Sequence, residues 1–140
     1  MSGEKYAEPV TITRSAGRSA APASVRSREL DAVTVLVTAV GEIDAATAAG
    51  LFGNVERQLC GYRRLVLDLS GLEFFGTAGY AVLQRLHSWC ARTGRDWVLV
   101  PGREVRRLLR VCDPDGVLPT AATIAVATAT LTHDHSSQAG

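Results

Sequence analysis

The sequence predicts a single α/β domain with a mixed four- to five-stranded sheet and helices packed mainly on one face. Strand-length segments that are apolar throughout or alternate in polarity recur along the chain. Between the later strand-like segments lie segments with apolar residues at helical spacing. Strands that are joined by a helix are expected to run parallel. The length of 140 residues is enough for one hydrophobic core and too short for two.

The first part of the predicted domain contains two strands and a helix. A strand over about 23–29 is followed by Ala32–Val40, where valines alternate with other residues. Asp44 is predicted to be the N-cap of the next helix, which Gly61 ends. The apolar stripe of that helix consists of Ala48, Leu51, Phe52, Val55 and Leu59.

The centre of the chain is a strand, a short loop and a long helix. The apolar run Leu65–Leu69 is predicted to be a strand buried on both faces. A helical stripe begins after the loop Gly76-Thr77-Ala78-Gly79 and runs to about Arg92. Thr77 is predicted to be the N-cap of this helix, where a hydroxyl either caps the helix or accepts a phosphate.

The last third adds smaller elements. Asp96–Val100 is predicted to be a buried strand, and a short helix follows with four arginines on its outer face. Asp113-Pro114-Asp115-Gly116 ends that helix, and Val117–Thr120 is predicted to be a last short strand. Propensities leave Ala121–Leu131 open between helix and strand.

The amino-acid composition and the charge distribution limit the kinds of protein that this chain can be. The net charge is +1, with 46% hydrophobic and 21% charged residues, as in soluble globular proteins. Residues 1–28 carry a net charge of +3 and residues 29–140 a net charge of −2, which argues against nucleic acid as the main partner. No membrane-length apolar run and no signal-peptide core are present, so we expect a cytoplasmic protein without a membrane partner.

The chain ends and the cysteines suggest no chemistry of their own. Residues 1–23 are predicted to be a disordered basic arm and 132–140 a flexible tail. Cys60, Cys90 and Cys112 are widely spaced and form no C-x-x-C pair, so we predict free thiols, with Cys90 and Cys112 buried. Common nucleotide-binding, zinc-hydrolase and serine-hydrolase motifs are absent, and we expect neither an enzyme nor a cofactor or metal site.

The central segment LVLDLSGLEFF, followed by Gly76-Thr77-Ala78-Gly79 and an amphipathic helix, resembles the STAS domain of bacterial anti-sigma-factor antagonists. Gly41-Glu42-Ile43-Asp44 also resembles the Gly-Glu-Leu-Asp segment that precedes the first helix of that family. The resemblance covers residues 24–131 and implies a final helix over 121–131. In the family an Asp precedes a phosphorylated hydroxyl residue; here Gly76 replaces that Asp, while Thr77 and Gly79 match.

The resemblance implies a partner-switching regulator of transcription that binds an anti-sigma factor with serine kinase activity. Thr77 is then the phosphorylation candidate, and phosphate would repel the partner. The predicted partner surface consists of Glu42, Asp44, Phe75, Gly76, Thr77, Gly79 and Tyr80. The alternative is a STAS-like module that senses redox state, through Cys90 or Cys112, or a ligand. The oligomeric state stays open between a monomer and a weak dimer.

Two further points concern side chains near this surface. Phe74 and Phe75 are adjacent, so they cannot both point inward from an extended segment, and one is expected to be an exposed anchor for a partner. Asp68 is expected to be structural, accepting hydrogen bonds from a neighbouring loop.

Overall fold

A computed structural model describes residues 10–12 and 23–139, with side chains described for Thr11 and for residues 23–132. The described residues form one five-stranded sheet of order β1-β2-β3-β4-β5. The elements are β1 Val10–Ile12, β2 Ala23–Asp31, β3 Thr34–Ile43, α1 Ala48–Leu59, β4 Arg64–Phe75, α2 Thr77–Thr93, β5 Asp96–Val100, α3 Gly102–Cys112 and α4 Ile124–Ala139.

The sheet is mixed, as predicted. β1, β2 and β3 pair antiparallel, whereas β3, β4 and β5 pair parallel. α1 and α2 supply the crossovers between the parallel strands, which a hairpin turn cannot join. The carboxyl ends of β3 and β4 therefore lie at the same edge, next to the starts of α1 and α2.

Both faces of the sheet are covered, but unequally. One face, here the near face, carries Val35 and Val37 in a large core with α1, α2 and α3. The opposite face, here the far face, carries Leu36, Val66 and Val98 in a smaller core with residues of α4. Three of the four helices in the described residues thus share one face, and the predicted architecture is confirmed.

The ambiguous segment after residue 120 is helical. The Thr123 hydroxyl accepts the Val126 N–H at 3.1 Å, which caps the first turn of α4. Ala127 and Leu131 are buried on the far face, so packing decides for helix where propensity did not. The helix continues to Ala139, past the predicted boundary at 131, because neither glycine nor proline interrupts residues 124–139.

Two predictions near the ends of the domain need correction. Val10–Ile12, inside the predicted disordered arm, pairs with β2, while residues 1–9 and 13–22 lie outside the described residues. The predicted strand Val117–Thr120 is reduced to one bridge between Leu99 and Thr120. Pro119 contributes only its carbonyl, at 2.8 Å from the Leu99 nitrogen, because proline has no N–H.

Candidate functional site

Parallel pairing of β3 and β4 brings two loops together at one edge of the sheet. Glu42 lies opposite Phe74 in the register. The Gly76 N–H donates a hydrogen bond to the Ile43 carbonyl at 3.0 Å, which extends the pairing into the second loop. The predicted residues before α1 therefore lie beside Thr77 at the start of α2. We call Glu42, Asp44, Phe74, Gly76 and Thr77 the loop surface.

Thr77 is one residue further into the helix than predicted. The N-cap of α2 is Gly76, with an extended φ of −98° and ψ of −175°, because its N–H is still bonded to Ile43 in the sheet. Thr77 is exposed, and its hydroxyl makes no hydrogen bond with any described residue. The hydroxyl is therefore free to meet a partner or a modifying enzyme.

Asp44 shapes the first loop but does not begin α1. Its Oδ1 accepts the N–H groups of Ala46 at 2.9 Å and Thr47 at 3.2 Å. The Thr47 hydroxyl accepts the Asp44 N–H at 3.0 Å and donates to the Glu42 carbonyl at 3.0 Å. This reciprocal pair closes a turn, and α1 begins only at Ala48. Asp44 therefore makes the predicted N-cap hydrogen bonds, and its carbonyl also accepts the Ala48 N–H at 2.9 Å, although the continuous helix is assigned only from Ala48, one turn later.

The exposed aromatic residue of the pair is Phe74, not Phe75. Phe75 is only 4% exposed and belongs to the near-face core, whereas Phe74 is 46% exposed. The assignment of Phe75 to the partner surface was therefore wrong. Phe74 replaces it, as an apolar ring on the surface next to Gly76 and Thr77.

Gly79 has a packing role at the start of α2. It is buried, and a Cβ built on it would lie 2.4 Å from the nearest ring carbon of Phe75. A residue with a side chain would push the Phe75 ring out of the core. Gly79 therefore supports the loop surface from below and is not positioned to contact a partner.

We expect Gly79→Ala to lower the free energy of unfolding by about 2–3 kcal/mol, because overpacking displaces a buried ring. Gly53→Ala is the matched control: Gly53 lies within α1, and its Cβ would meet only Arg57 Nη1 at an ordinary 3.6 Å. That change should be neutral or stabilising by up to about 1 kcal/mol. Urea denaturation measures both, and equal effects would contradict the packing role of Gly79.

Tyr80 is half-buried between α2 and the end of α3. Burial, then the Asp113 carboxylate and then Cys112, raises the pKa of its hydroxyl. The phenol therefore stays neutral at physiological pH, and its ring packs against the near-face core.

Asp68 is structural, as predicted, but its hydrogen bonds come from Ser70 in the same strand and not from a neighbouring loop. Its side chain is nearly buried and Oδ1 accepts both the backbone N–H of Ser70 at 3.0 Å and its hydroxyl at 2.6 Å. These bonds fix the bend in β4 where the β3–β4 register shifts.

The three cysteines differ in accessibility. Cys90 is 1% exposed, and burial raises the pKa of its thiol to about 11. Cys60 is exposed and Cys112 is half-buried, so the prediction that Cys112 is buried was wrong. It lies on the last turn of α3.

Alkylation in the native state should label Cys60 first, Cys112 more slowly and Cys90 only after denaturation, because the reagent must reach the sulfur atom. The raised pKa of Cys90 also lowers its fraction of thiolate, which is the reactive form. Mass spectrometry of iodoacetamide-treated protein, with and without urea, measures this order. Cys90 labelled as fast as Cys60 would contradict the structure and favour a redox sensor.

No group of metal-binding side chains converges in the described part of the chain. The Nδ1 of His87 accepts a hydrogen bond from Trp97 Nε1 at 3.1 Å, which explains this histidine as part of the packing between α2 and β5. Within residues 10–12 and 23–139, no helix is long and apolar enough to cross a membrane.

Comparison with known proteins gives consistent results. Residues 24–127 match the model of the STAS domain family. Osmosensory protein A of Mycobacterium tuberculosis H37Rv is 40% identical over 68 residues, covering 49% of this chain and only 43% of that protein. The anti-sigma-F factor antagonist RsfA of M. tuberculosis CDC 1551 is 37% identical over 93 residues, covering 64% of this chain and 73% of RsfA.

Solved structures share the fold. An anti-sigma factor antagonist from Mycobacterium paratuberculosis has a TM-score of 0.67 at 24% identity, covering 77% of this chain and 92% of that one. SpoIIAA, an anti-sigma factor antagonist in its unphosphorylated form, has a TM-score of 0.64 at 12% identity and covers 78% and 96%.

Proposed function

The chain belongs to the STAS domain family, and from this membership we propose that it is an anti-sigma-factor antagonist. In this role it binds an anti-sigma factor and thereby regulates transcription, without catalysing a reaction. RsfA and the two similar solved proteins are anti-sigma factor antagonists, which supports this role. We place its action in the cytoplasm, where transcription takes place.

The observation that carries the proposal is the loop surface. It presents a free hydroxyl on Thr77 beside the ring of Phe74, which is 46% exposed. An exposed aromatic side chain next to a small polar group is a typical centre of a protein interface. Asp44 and Thr47 hold the adjoining loop in one conformation, so the partner meets a preformed surface.

We further propose that a serine kinase, as part of the anti-sigma factor, phosphorylates Thr77. The hydroxyl lies on the first residue of α2, where the helix dipole favours a phosphate. Gly76 replaces the carboxylate expected before the hydroxyl, but its φ of −98° is open to any residue. A Cβ there would lie 3.2 Å from the exposed Phe74 ring, which has room to move. Position 76 therefore accepts a side chain, and its glycine reflects no backbone requirement.

A pull-down from the native cell tests the antagonist role. We expect the chain to capture an anti-sigma factor, identified by mass spectrometry, and the same sample shows whether Thr77 is phosphorylated. Phe74→Ser should lose the partner, because it removes the apolar centre of the loop surface. Val126→Ser is the matched control, since Val126 is 50% exposed on α4, away from this surface. Failure to capture an anti-sigma factor, or equal capture by both variants, would contradict the proposal.

The alternative function, a module that senses redox state through Cys90 or Cys112, has little support. A sensor cysteine needs an accessible thiol of lowered pKa, whereas burial raises the pKa of Cys90 to about 11. Cys112 is half-buried at the end of α3 and has no cysteine partner among the described residues.

A further inference from the structure

The far face of the sheet is only partly covered by α4. That helix packs over β4 and β5, where it buries Val66, Val98 and Val100. On β2 and β3 the same face borders a cavity of about 380 Å³ that is open to solvent. This volume lies within the range of small-molecule sites. The cavity is on the opposite side of the sheet from α1, α2 and α3.

Cross-strand pairs build the cavity. Its lining includes three directly opposed pairs: Ser24 with Val40, Arg26 with Thr38, and Arg28 with Leu36. Alternation along each strand sends these side chains to the far face, because their sequence neighbours belong to the near-face core. The site therefore has a hydroxyl and apolar floor on β3 and two arginines along β2.

The charge of the cavity is one-sided. Neither Asp nor Glu contributes to its lining among the described residues. The guanidinium of Arg26 is exposed and makes neither an ion pair nor a side-chain hydrogen bond with any described residue. The hydroxyl of Thr38, directly opposite Arg26, likewise has no hydrogen-bond partner in the described chain. Val40, at one end, is 43% exposed.

We propose that this cavity binds a small organic anion that carries a phosphate or carboxylate on an apolar group. The guanidinium of Arg26 supplies the planar, paired donors that such anions prefer, with Arg28 beside it and the Thr38 hydroxyl opposite. The floor formed by Leu36 and Val40 covers the apolar part of the ligand. Neither element suffices alone, since an exposed arginine such as Arg26 is screened by salt and an open apolar floor is shallow.

The site is distinct from the loop surface but close to it along the same strand. Val40 lies three residues before Ile43, about 10 Å along an extended strand. The Ile43 carbonyl accepts the hydrogen bond from Gly76 that fixes the start of α2. The anion therefore binds near Val40, and the other end of this strand segment, Ile43, supports the start of α2 at Thr77.

Titration of the ¹⁵N-labelled chain with phenyl phosphate, followed by amide chemical shifts, tests this proposal. We expect saturable shifts confined to Ser24–Arg28 and Leu36–Val40. Benzoate replaces phenyl phosphate in a second arm, which decides between a phosphate and a carboxylate. Inorganic phosphate should bind at least tenfold more weakly than phenyl phosphate, and phenol, which has no charge, should leave these amides unchanged.

Arg26→Gln should weaken binding of the preferred anion at least tenfold. Arg106→Gln is the matched control, because Arg106 is also exposed but lies on α3. Amide spectra of both variants away from β2 and β3 report whether the fold is intact. Shifts that spread over other arginine-rich surfaces, or equal binding by both variants, would overturn the proposal. So would the absence of shifts with either anion.

Discussion

Replacing Gly102 with alanine is expected to lower the free energy of unfolding by at least about 4 kcal/mol. Gly102 opens α3 with a φ of +71°, which alone makes a side chain unfavourable by about 1–2 kcal/mol. A Cβ there would also lie 2.4 Å from the Cα of Ser70 in β4. Because the obstacle is backbone, relief requires α3 to move away from the sheet. We expect the melting temperature to fall by about 10–20 °C.

Comparison with Gly116→Ala separates the steric part of this loss from the part due to the positive φ. Gly116 has nearly the same φ, +68°, but no atom lies within 4 Å of the Cβ that would be added. This variant should lose only the conformational part, about 1–2 kcal/mol. Calorimetric melting of both variants measures the difference. Equal losses would mean that α3 does not pack against Ser70 as the structure shows.

Most of the fold could be predicted from the sequence because most elements, though neither β1 nor α4, have a strong local signal. The run Leu65–Leu69 is buried on both faces as expected, since residues of opposite parity contribute to the two cores. The start of α2 was placed one residue late, with Thr77 as N-cap instead of Gly76, because a tertiary hydrogen bond makes Gly76 the last extended residue. The bond from Gly76 to Ile43 keeps the chain extended, and no local pattern around residue 76 indicates that partner.

The candidate site was harder to predict because the β3–β4 pairing is irregular. The register shifts twice, between Thr38 and Val40 and between Gly41 and Glu42. On β4 the core-facing positions accordingly change parity, from Leu69 to Leu72 and back to Phe75. Alternation alone showed that one of the two phenylalanines must be exposed. Which phenylalanine is exposed depends on the number of register shifts that precede it in β4. That number is known only from the pairing of β3 with β4.

The far face of the sheet shows a second limit of prediction from sequence. The sequence predicted helices mainly on one face but gave no position for α4 on the other. The position of α4 over β4 and β5 leaves Arg26 and Val40 exposed on β2 and β3, while Leu36 is buried in the far-face core. Arg26 and Thr38 are twelve residues apart in the chain, so their juxtaposition appears only once the strand register is known.

Thr77→Glu is expected to weaken binding of the anti-sigma partner at least about 100-fold, or about 2.8 kcal/mol. The carboxylate imitates part of the charge of a phosphate and places it on the loop surface beside Phe74. An interface that accepts a small neutral group must then desolvate that charge without a compensating cation. Thr77→Ala should bind like the unmodified chain. It should also be nearly as stable, because the Thr77 hydroxyl makes no hydrogen bond with the described residues that alanine would lose.

Isothermal titration calorimetry with the purified anti-sigma factor separates charge from its position. Ser88→Glu is the matched control, since Ser88 is also an exposed hydroxyl residue of α2 but lies three turns further along. It adds the same charge to the same helix and should change the affinity by less than about threefold, because exposed charges at that distance are screened. Equal affinity of the Ala and Glu variants at position 77 would exclude a charge switch at this hydroxyl. Equal loss with Ser88→Glu would show that net charge, and not the loop surface, governs binding.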